Sequence, residues 1–170
     1  PTARSTRYAA TSTGWRPARP LSPRRFSAIG ALAARLFAEL RRRIIDLSGE
    51  CCEYCRIPRD SGTAQEIFHI EHIIAESHGG LTAEPNLAFS CAKCNLYKGT
   101  NIAAADPKTG EPTFLFHPRK HNWAEHFKLD GALIEPLTAE ARATVFVLQL
   151  NATDRVEKRL SLMLLNRYPC

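Results

Sequence analysis

Three features of this chain predict an α+β fold with a metal-stapled finger at its centre. Two Cys-x-x-Cys pairs, Cys52/Cys55 and Cys91/Cys94, stand 35 residues apart. Between them lie two runs rich in strand-forming residues, Thr63 to Ile74 and Asn86 to Ser90. Apolar residues at helical spacing flank the pair on both sides. Four thiolates so placed can hold one tetrahedral Zn²⁺, and such a clamp closes the ends of a strand–loop–strand–helix segment. The prediction is a finger stapled by a four-cysteine zinc, flanked by an N-terminal helix and a C-terminal helical extension.

The N-terminal helix rests on Ile29, Leu32, Leu36 and Leu40, which recur at three- and four-residue steps, with Arg35, Glu39 and Arg41 to Arg43 interrupting the apolar run. It is expected to reach about Leu47 and stop at Ser48-Gly49. Arg56 to Gly62, with Pro58, Asp60 and Gly62, reads as a loop. In the strand or hairpin arm that follows, alternation puts His69, Glu71 and Ile73 on one face, with Ile70 and His72 on the other. Ser77 to Pro85 is a turn region containing Gly79-Gly80, and Asn86 to Ser90 is the returning strand. A short helix from Ala92 carries Asn95 and Lys98 on one face, three residues apart. Asp106 to Gly110 is a turn, followed by short segments at Phe114 to Phe116 and Trp123 to Phe127. Thr138 caps a helix running to about Asn151, and Arg155 to Leu165 is a final amphipathic helix.

With 170 residues and 44% hydrophobic content, the chain has material for one modest core. The formal charge of +6 is uneven: residues 1 to 43 hold ten Arg against the single acid Glu39, whereas the rest of the chain carries 13 Lys/Arg against 16 Asp/Glu. A basic segment attracts phosphate backbones without reading their sequence, because it releases condensed counterions. The plainer reading of the same residues is a solvated, disordered tail. Residues 1 to 27 lack any acid and resemble a transit peptide in composition, with Arg24-Arg25-Phe26 a faint export signal; the helical periodicity outweighs both. The chain begins at Pro1 and its single methionine is Met163, so the natural start is expected to be missing or altered.

Of six cysteines, four fall in the paired motifs, and Cys51 and Cys170 have no obvious partner. That usage fits a reducing, cytoplasmic setting better than a secreted disulfide scaffold. No run approaches the roughly 18 to 20 apolar residues of a membrane span. A redox Cys-x-x-Cys would need a βαβ context and no second pair, which disfavours it. Cys51, beside Cys52, is an alternative zinc ligand.

Glu71-His72-Ile73, Gly79-Gly80, Asn86-Leu87 and Cys91-x-x-Cys94-Asn95-x-x-Lys98-Gly99 together resemble the HNH endonucleases, whose ββα-metal core belongs to the His-Me finger nucleases. The core likeness covers about residues 48 to 102. Asp106-Pro107-x-Thr109-Gly110-Glu111, Leu115-Phe116-x-Pro118-Arg119, Trp123-x-x-His126-Phe127 and Arg142-Ala143-Thr144-Val145 are similar to a subgroup of such proteins. The resemblance implies a nuclease domain at 34–170, with core 48–102 and extension 103–170. It leaves 1–33 as a basic extension, disordered or not native to the domain.

The resemblance also implies the chemistry. Glu71 and Asn95 would bind one divalent ion, and His72 would be the general base that deprotonates the attacking water. An imidazole, with an ordinary pKa of about 6.5, accepts a proton near neutrality. Asn86 would cross-link the loop that aims His72, and Lys98 would meet a phosphate oxygen. Glu71 stands where the family commonly has Asp, and Asn95 where it often has His. A carboxylate with an amide is an oxygen-only pair, which favours Mg²⁺ or Mn²⁺ over softer ions. The implied partner is DNA, acted on by a monomer or weak homodimer with no membrane involvement. A non-catalytic zinc finger that binds nucleic acid is the alternative, and the nuclease part of a larger assembly is a third reading. His69, His78, His117, His121 and His126 read as surface or packing residues, and Trp123, Phe114, Phe116 and Phe127 as core rather than base-stacking groups.

Overall fold

The computed structural model describes residues 23–60 and 67–170, with side chains from Gly30 onward. The expected loop end and strand start that fall on 61–66 lie outside the described residues, as do the readings placed on 1–22. The chain divides into two units, Pro1–Arg35 and Leu36–Cys170. Helix α1, Pro23–Ser48, ends where expected: Gly49 and Glu50 take positive φ of 62° and 59°, and the Ser48 hydroxyl donates back to the Ile45 carbonyl at 2.6 Å. Its predicted stripe is only partly used. Leu32 and Leu36 are exposed, while Leu40, Ile44 and Ile45 cluster with Leu87 and Phe89.

The first knuckle follows directly. The Cys52 amide donates to the Ile57 carbonyl and the Arg56 amide to the Cys52 carbonyl, both at 2.9 Å, so the chain turns sharply through Cys52–Cys55. Strands β1 (Phe68–His72) and β2 (Leu87–Cys91) pair antiparallel, with Ile70 opposite Phe89, Glu71 opposite Ala88 and His72 opposite Leu87. The hairpin has two dissimilar faces, as alternation requires. Phe68, Ile70, Leu87 and Phe89 pack with the end of α1, whereas Ile73, Ala88 and Cys91 join the main core. Helix α2 (Ala92–Lys98) follows β2 at once and stops at Gly99, giving strand, loop, strand, helix in the expected order.

The extension is less purely helical than expected. Strands β3 (Ala103–Ala105) and β4 (Pro112–Phe114) pair around the Asp106 turn, and β5 (Phe127–Asp130) pairs with β6 (Leu133–Pro136) after the one-turn helix α3 (Trp123–His126). Buried Asp106 holds Arg142 through two hydrogen bonds of 2.7 and 2.8 Å, joining that turn to helix α4 (Ala139–Val147). Thr138 does cap α4, accepting from the Ala141 amide. The helix ends at Val147 instead of about Asn151, because Leu148 and Leu150 turn into the core and the Asn151 amide group bridges the Ile134 backbone as both acceptor and donor. Helix α5 (Thr153–Leu164) completes the fold and buries Arg155 and Arg159. The structure is therefore α+β, with a ββα unit and a mixed extension.

The reading of Cys51 and Cys170 as partnerless is corrected: they form a disulfide between residues 119 apart in sequence. A pairing between the chain end and the first knuckle has no local signature, which is why spacing could not reveal it. The inference of a reducing compartment loses that part of its support. Among the described residues, no helix is long and apolar enough to cross a membrane.

Candidate active site

The Cys52, Cys55, Cys91 and Cys94 sulfurs lie within 4.8 Å of one another, and all four residues are buried. Zinc–sulfur bonds of about 2.3 Å in a tetrahedron put sulfurs about 3.8 Å apart. The Cys55–Cys91 separation is 3.8 Å. Burial raises the Cys52 and Cys94 thiols well above their ordinary value, while hydrogen bonding from Cys52 holds Cys55 well below it. Four sulfurs this close and this dry need a cation to ionise together, and the donor set fits Zn²⁺. Arg155 Nη2 donates to Cys94 Sγ at 2.9 Å, and its Nη1 reaches the Leu148 carbonyl. A cation from α5 thus faces the thiolate cluster, orienting one ligand and offsetting its charge. Nothing in the spacing of Arg155 foretold this.

Glu71 lies on the face of β1 turned toward α2 and is 5% exposed. Tyr54, inside the first knuckle, donates its hydroxyl to Glu71 Oε1, and Lys98 Nζ lies 3.2 Å from Oε2. Lys98 is itself buried and also donates to the His72 carbonyl at 3.0 Å. Burial pushes the Glu71 carboxyl above the usual carboxylate range, against the pull of the Lys98 charge and the Tyr54 hydrogen bond. Asn95, one turn before Lys98, is half-buried, and its side-chain amide makes no hydrogen bond among the described residues. A carboxylate has about four lone-pair sites, so Glu71 can keep Tyr54 and Lys98 and still offer an oxygen. Asn95 offers an uncommitted amide oxygen from α2, and a carboxylate and an amide are the oxygen donors that suit a hard divalent ion.

His72 is the last residue of β1, and its side chain is 25% exposed. Its Nε2 is 2.9 Å from the Thr82 hydroxyl, which donates in turn to Glu76 Oε1 at 2.9 Å. Nδ1 has no partner among the described residues. The loop from Ile73 to Pro85 that carries Glu76 and Thr82 is closed by Asn86. Asn86 Oδ1 accepts from the Ile74 amide at 2.9 Å, while Nδ2 donates to the Ile74 and Leu81 carbonyls at 2.9 and 3.0 Å. Gly80 seals the crossing, since a Cβ there would lie 1.8 Å from the Ile74 oxygen and 2.8 Å from Asn86 Nδ2.

The structure thus brings together Glu71 with Lys98, His72 with Thr82, and Asn86 with the loop, but the Glu71 and His72 side chains keep separate partners. As neighbours in a strand they project to opposite faces. Tyr54, Thr82 and Glu76 were not foreseen; each is recognisable only once the loop and knuckle are folded. Arg119, from the downstream motif, is held by Glu53 through two contacts. Phe116 and Phe127 are buried as expected, whereas Phe114 is exposed.

Residues 52–101, from the first knuckle through α2, match the family model for the HNH endonucleases. Over 119 residues the chain is 24% identical to the Septu protein PtuB of Bacillus thuringiensis, an alignment that takes in 69% of this chain and 43% of that protein. The chain therefore spans less than half the length of this relative. No solved structure matches it.

Proposed function

We propose that this chain is an endonuclease that hydrolyses DNA phosphodiester bonds with a single divalent ion, Mg²⁺ or Mn²⁺, acting through residues 34–170. The observation that carries the reading is the state of His72 within the HNH segment. Its Nε2 is held by Thr82 on a loop closed by Asn86, and its Nδ1 is uncommitted. A base held at one nitrogen and open at the other is prepared to take a proton. Asn86 is a positioning residue for it.

In this reading His72 removes a proton from water, the water oxygen bonds to phosphorus, the bond to the 3′ oxygen breaks, and that oxygen takes a proton from solvent, leaving a 3′ hydroxyl and a 5′ phosphate. Glu71 and Asn95 would hold the ion, which would supply stabilisation of the charge that develops on the phosphorus oxygens and the leaving oxygen. Because Glu71 and His72 project from opposite faces of β1, the phosphate would lie across the end of the hairpin, where the strand stops. Lys98 would touch that phosphate only by leaving Glu71. One base and one ion suffice to nick a single strand as a monomer or in a weak homodimer. The structural Zn²⁺ takes no part in the reaction, and we place the protein in the cytoplasm.

The engagement of both Glu71 oxygens by Tyr54 and Lys98 favours a second reading, a zinc finger that binds nucleic acid without cutting it. Zinc-loaded protein incubated with supercoiled plasmid separates the two. Nicked circles in Mg²⁺ or Mn²⁺, absent with EDTA, are expected, with ends that a ligase can seal. Binding without cleavage in every ion would establish the second reading.

A further inference from the structure

Beside the candidate active site lies a cavity of about 360 Å³ that the proposed chemistry does not use. Ile74, Ile102 and Phe114 form its apolar side, and Asn101, His117 and Lys120 contribute polar groups. Lys98, which touches Glu71 and the His72 carbonyl, also lines it, so the cavity borders the site. Phe114 is 69% exposed, while Phe116 and Phe127 are in the core. Burial therefore accounts for two of these three rings and not for Phe114. The Asn101 side-chain amide and the exposed Lys120 ammonium make no hydrogen bond or ion pair among the described residues. An apolar cleft with an open aromatic ring, a free amide and a free cation is complementary to a flat heteroaromatic ring joined to a phosphate.

We propose that this cleft is a stacking subsite for one unpaired nucleobase adjacent to the scissile phosphate, so that the substrate is single-stranded or locally opened nucleic acid. The inference rests on the nuclease reading of the neighbouring site and names the form of its substrate. A base inside a duplex has both faces covered by its neighbours, and it reaches an aromatic side chain in a cleft only by leaving the stack. Phe114 and Ile74 cover the base faces, Asn101 meets the base edge, and Lys120 meets the backbone. Stacking tolerates any base, because each has a π-face, so the subsite selects for strand state more than for sequence.

The test uses the full, zinc-loaded chain without added Mg²⁺ and a short single-stranded oligonucleotide carrying one 2-aminopurine, whose fluorescence falls on stacking. Quenching with the parent protein is expected, with none on the same oligonucleotide annealed to its complement. Phe114→Ala should raise the dissociation constant about tenfold and remove the quench, and Phe114→Trp should retain both. Zinc content and circular dichroism of each variant check that it is folded. Equal affinity of Phe114→Ala and parent for the single strand would overturn the proposal. So would equal quenching on the duplex, or a change in sedimentation showing that Phe114 contacts a second copy. Plasmid nicking with no Phe114 effect defeats this inference alone, whereas quenching without any nicking defeats the nuclease reading and leaves the subsite standing.

Discussion

In the two cysteine knuckles, four buried cysteines place their sulfurs within 4.8 Å and receive a further contact from Arg155, whereas the loop beside His72 lies largely in solvent and is closed by one asparagine next to one glycine. The two regions share the hairpin β1–β2 yet depend on different forces. Thiolate ligation couples directly to folding, because a preformed site of this kind does not exist in an unfolded chain. Asn86 closes the loop with three ordinary hydrogen bonds past a missing Cβ, each worth little to the whole and much to the direction of one imidazole. Damage to the first region should therefore unfold the domain, and damage to the second should silence it while it stays folded.

The largest expected effect is that of Cys94→Ser. Structural zinc binds finger peptides with about 10 to 16 kcal/mol, comparable to the entire stability of a domain, about 5 to 15 kcal/mol. The variant also removes the sulfur that Arg155 contacts. Loss of zinc and of a cooperative melt is expected by metal analysis and circular dichroism; an unchanged melting temperature would break the comparison.

Glu71→Gln comes next. It leaves the Lys98 ammonium buried without a carboxylate, a change that costs about 3 to 5 kcal/mol in urea unfolding. A Glu71→Gln, Lys98→Met pair should recover most of that stability without regaining cleavage. Failure of the second change to rescue stability would show that Tyr54, and not Lys98, is the partner that matters.

Gly80→Ala sharpens the contrast from the loop side. A Cβ driven into the Ile74 carbonyl must open the Asn86 crossing, with a stability cost of about 1 to 3 kcal/mol. Cleavage should fall about a hundredfold, as for other small misplacements of a reacting group, while zinc content is unchanged. Zinc loss here would mean that the loop and the knuckles are one unit.

The smallest effect concerns His117, whose imidazole burial, with the nearby Lys120 charge, lowers to about 4 from 6.5. Between those values the unfolded chain binds a proton that the folded chain does not, so stability rises with pH and is lost on acidification from about 6.5 toward 4. Comparing melting temperatures across that window, His117→Gln should show a shallower decline than the parent. Equal slopes would remove His117 as the cause.

The residues legible in the sequence were those whose role is local. Cys-x-x-Cys spacing, the Thr138 cap and the Gly49 stop each act over a few positions, and all three stand in the structure. Glu71 on the α2 side and Asn86 across the loop followed from strand alternation and from the family resemblance. What was missed depends on contacts far apart in the chain. Ala103–Ala105 has little intrinsic preference for a strand and becomes one only by pairing with Pro112–Phe114. Tyr54 meets Glu71 only once the first knuckle has packed on the hairpin, and Arg155 meets Cys94 and Cys51 meets Cys170 only after the extension has folded over the finger. Lys98 was expected at a phosphate from the family resemblance, and here a buried carboxylate draws it inward, although lysines are seldom buried.

The most direct measurement is plasmid nicking by His72→Ala alongside its zinc content. A fall of about a hundredfold to ten-thousandfold in rate, with one zinc per chain and an unchanged melting temperature, is predicted for a general base whose removal leaves the knuckles intact. Cleavage at the parent rate in that variant would contradict the assignment of the base, and loss of zinc would contradict the separation of the two regions.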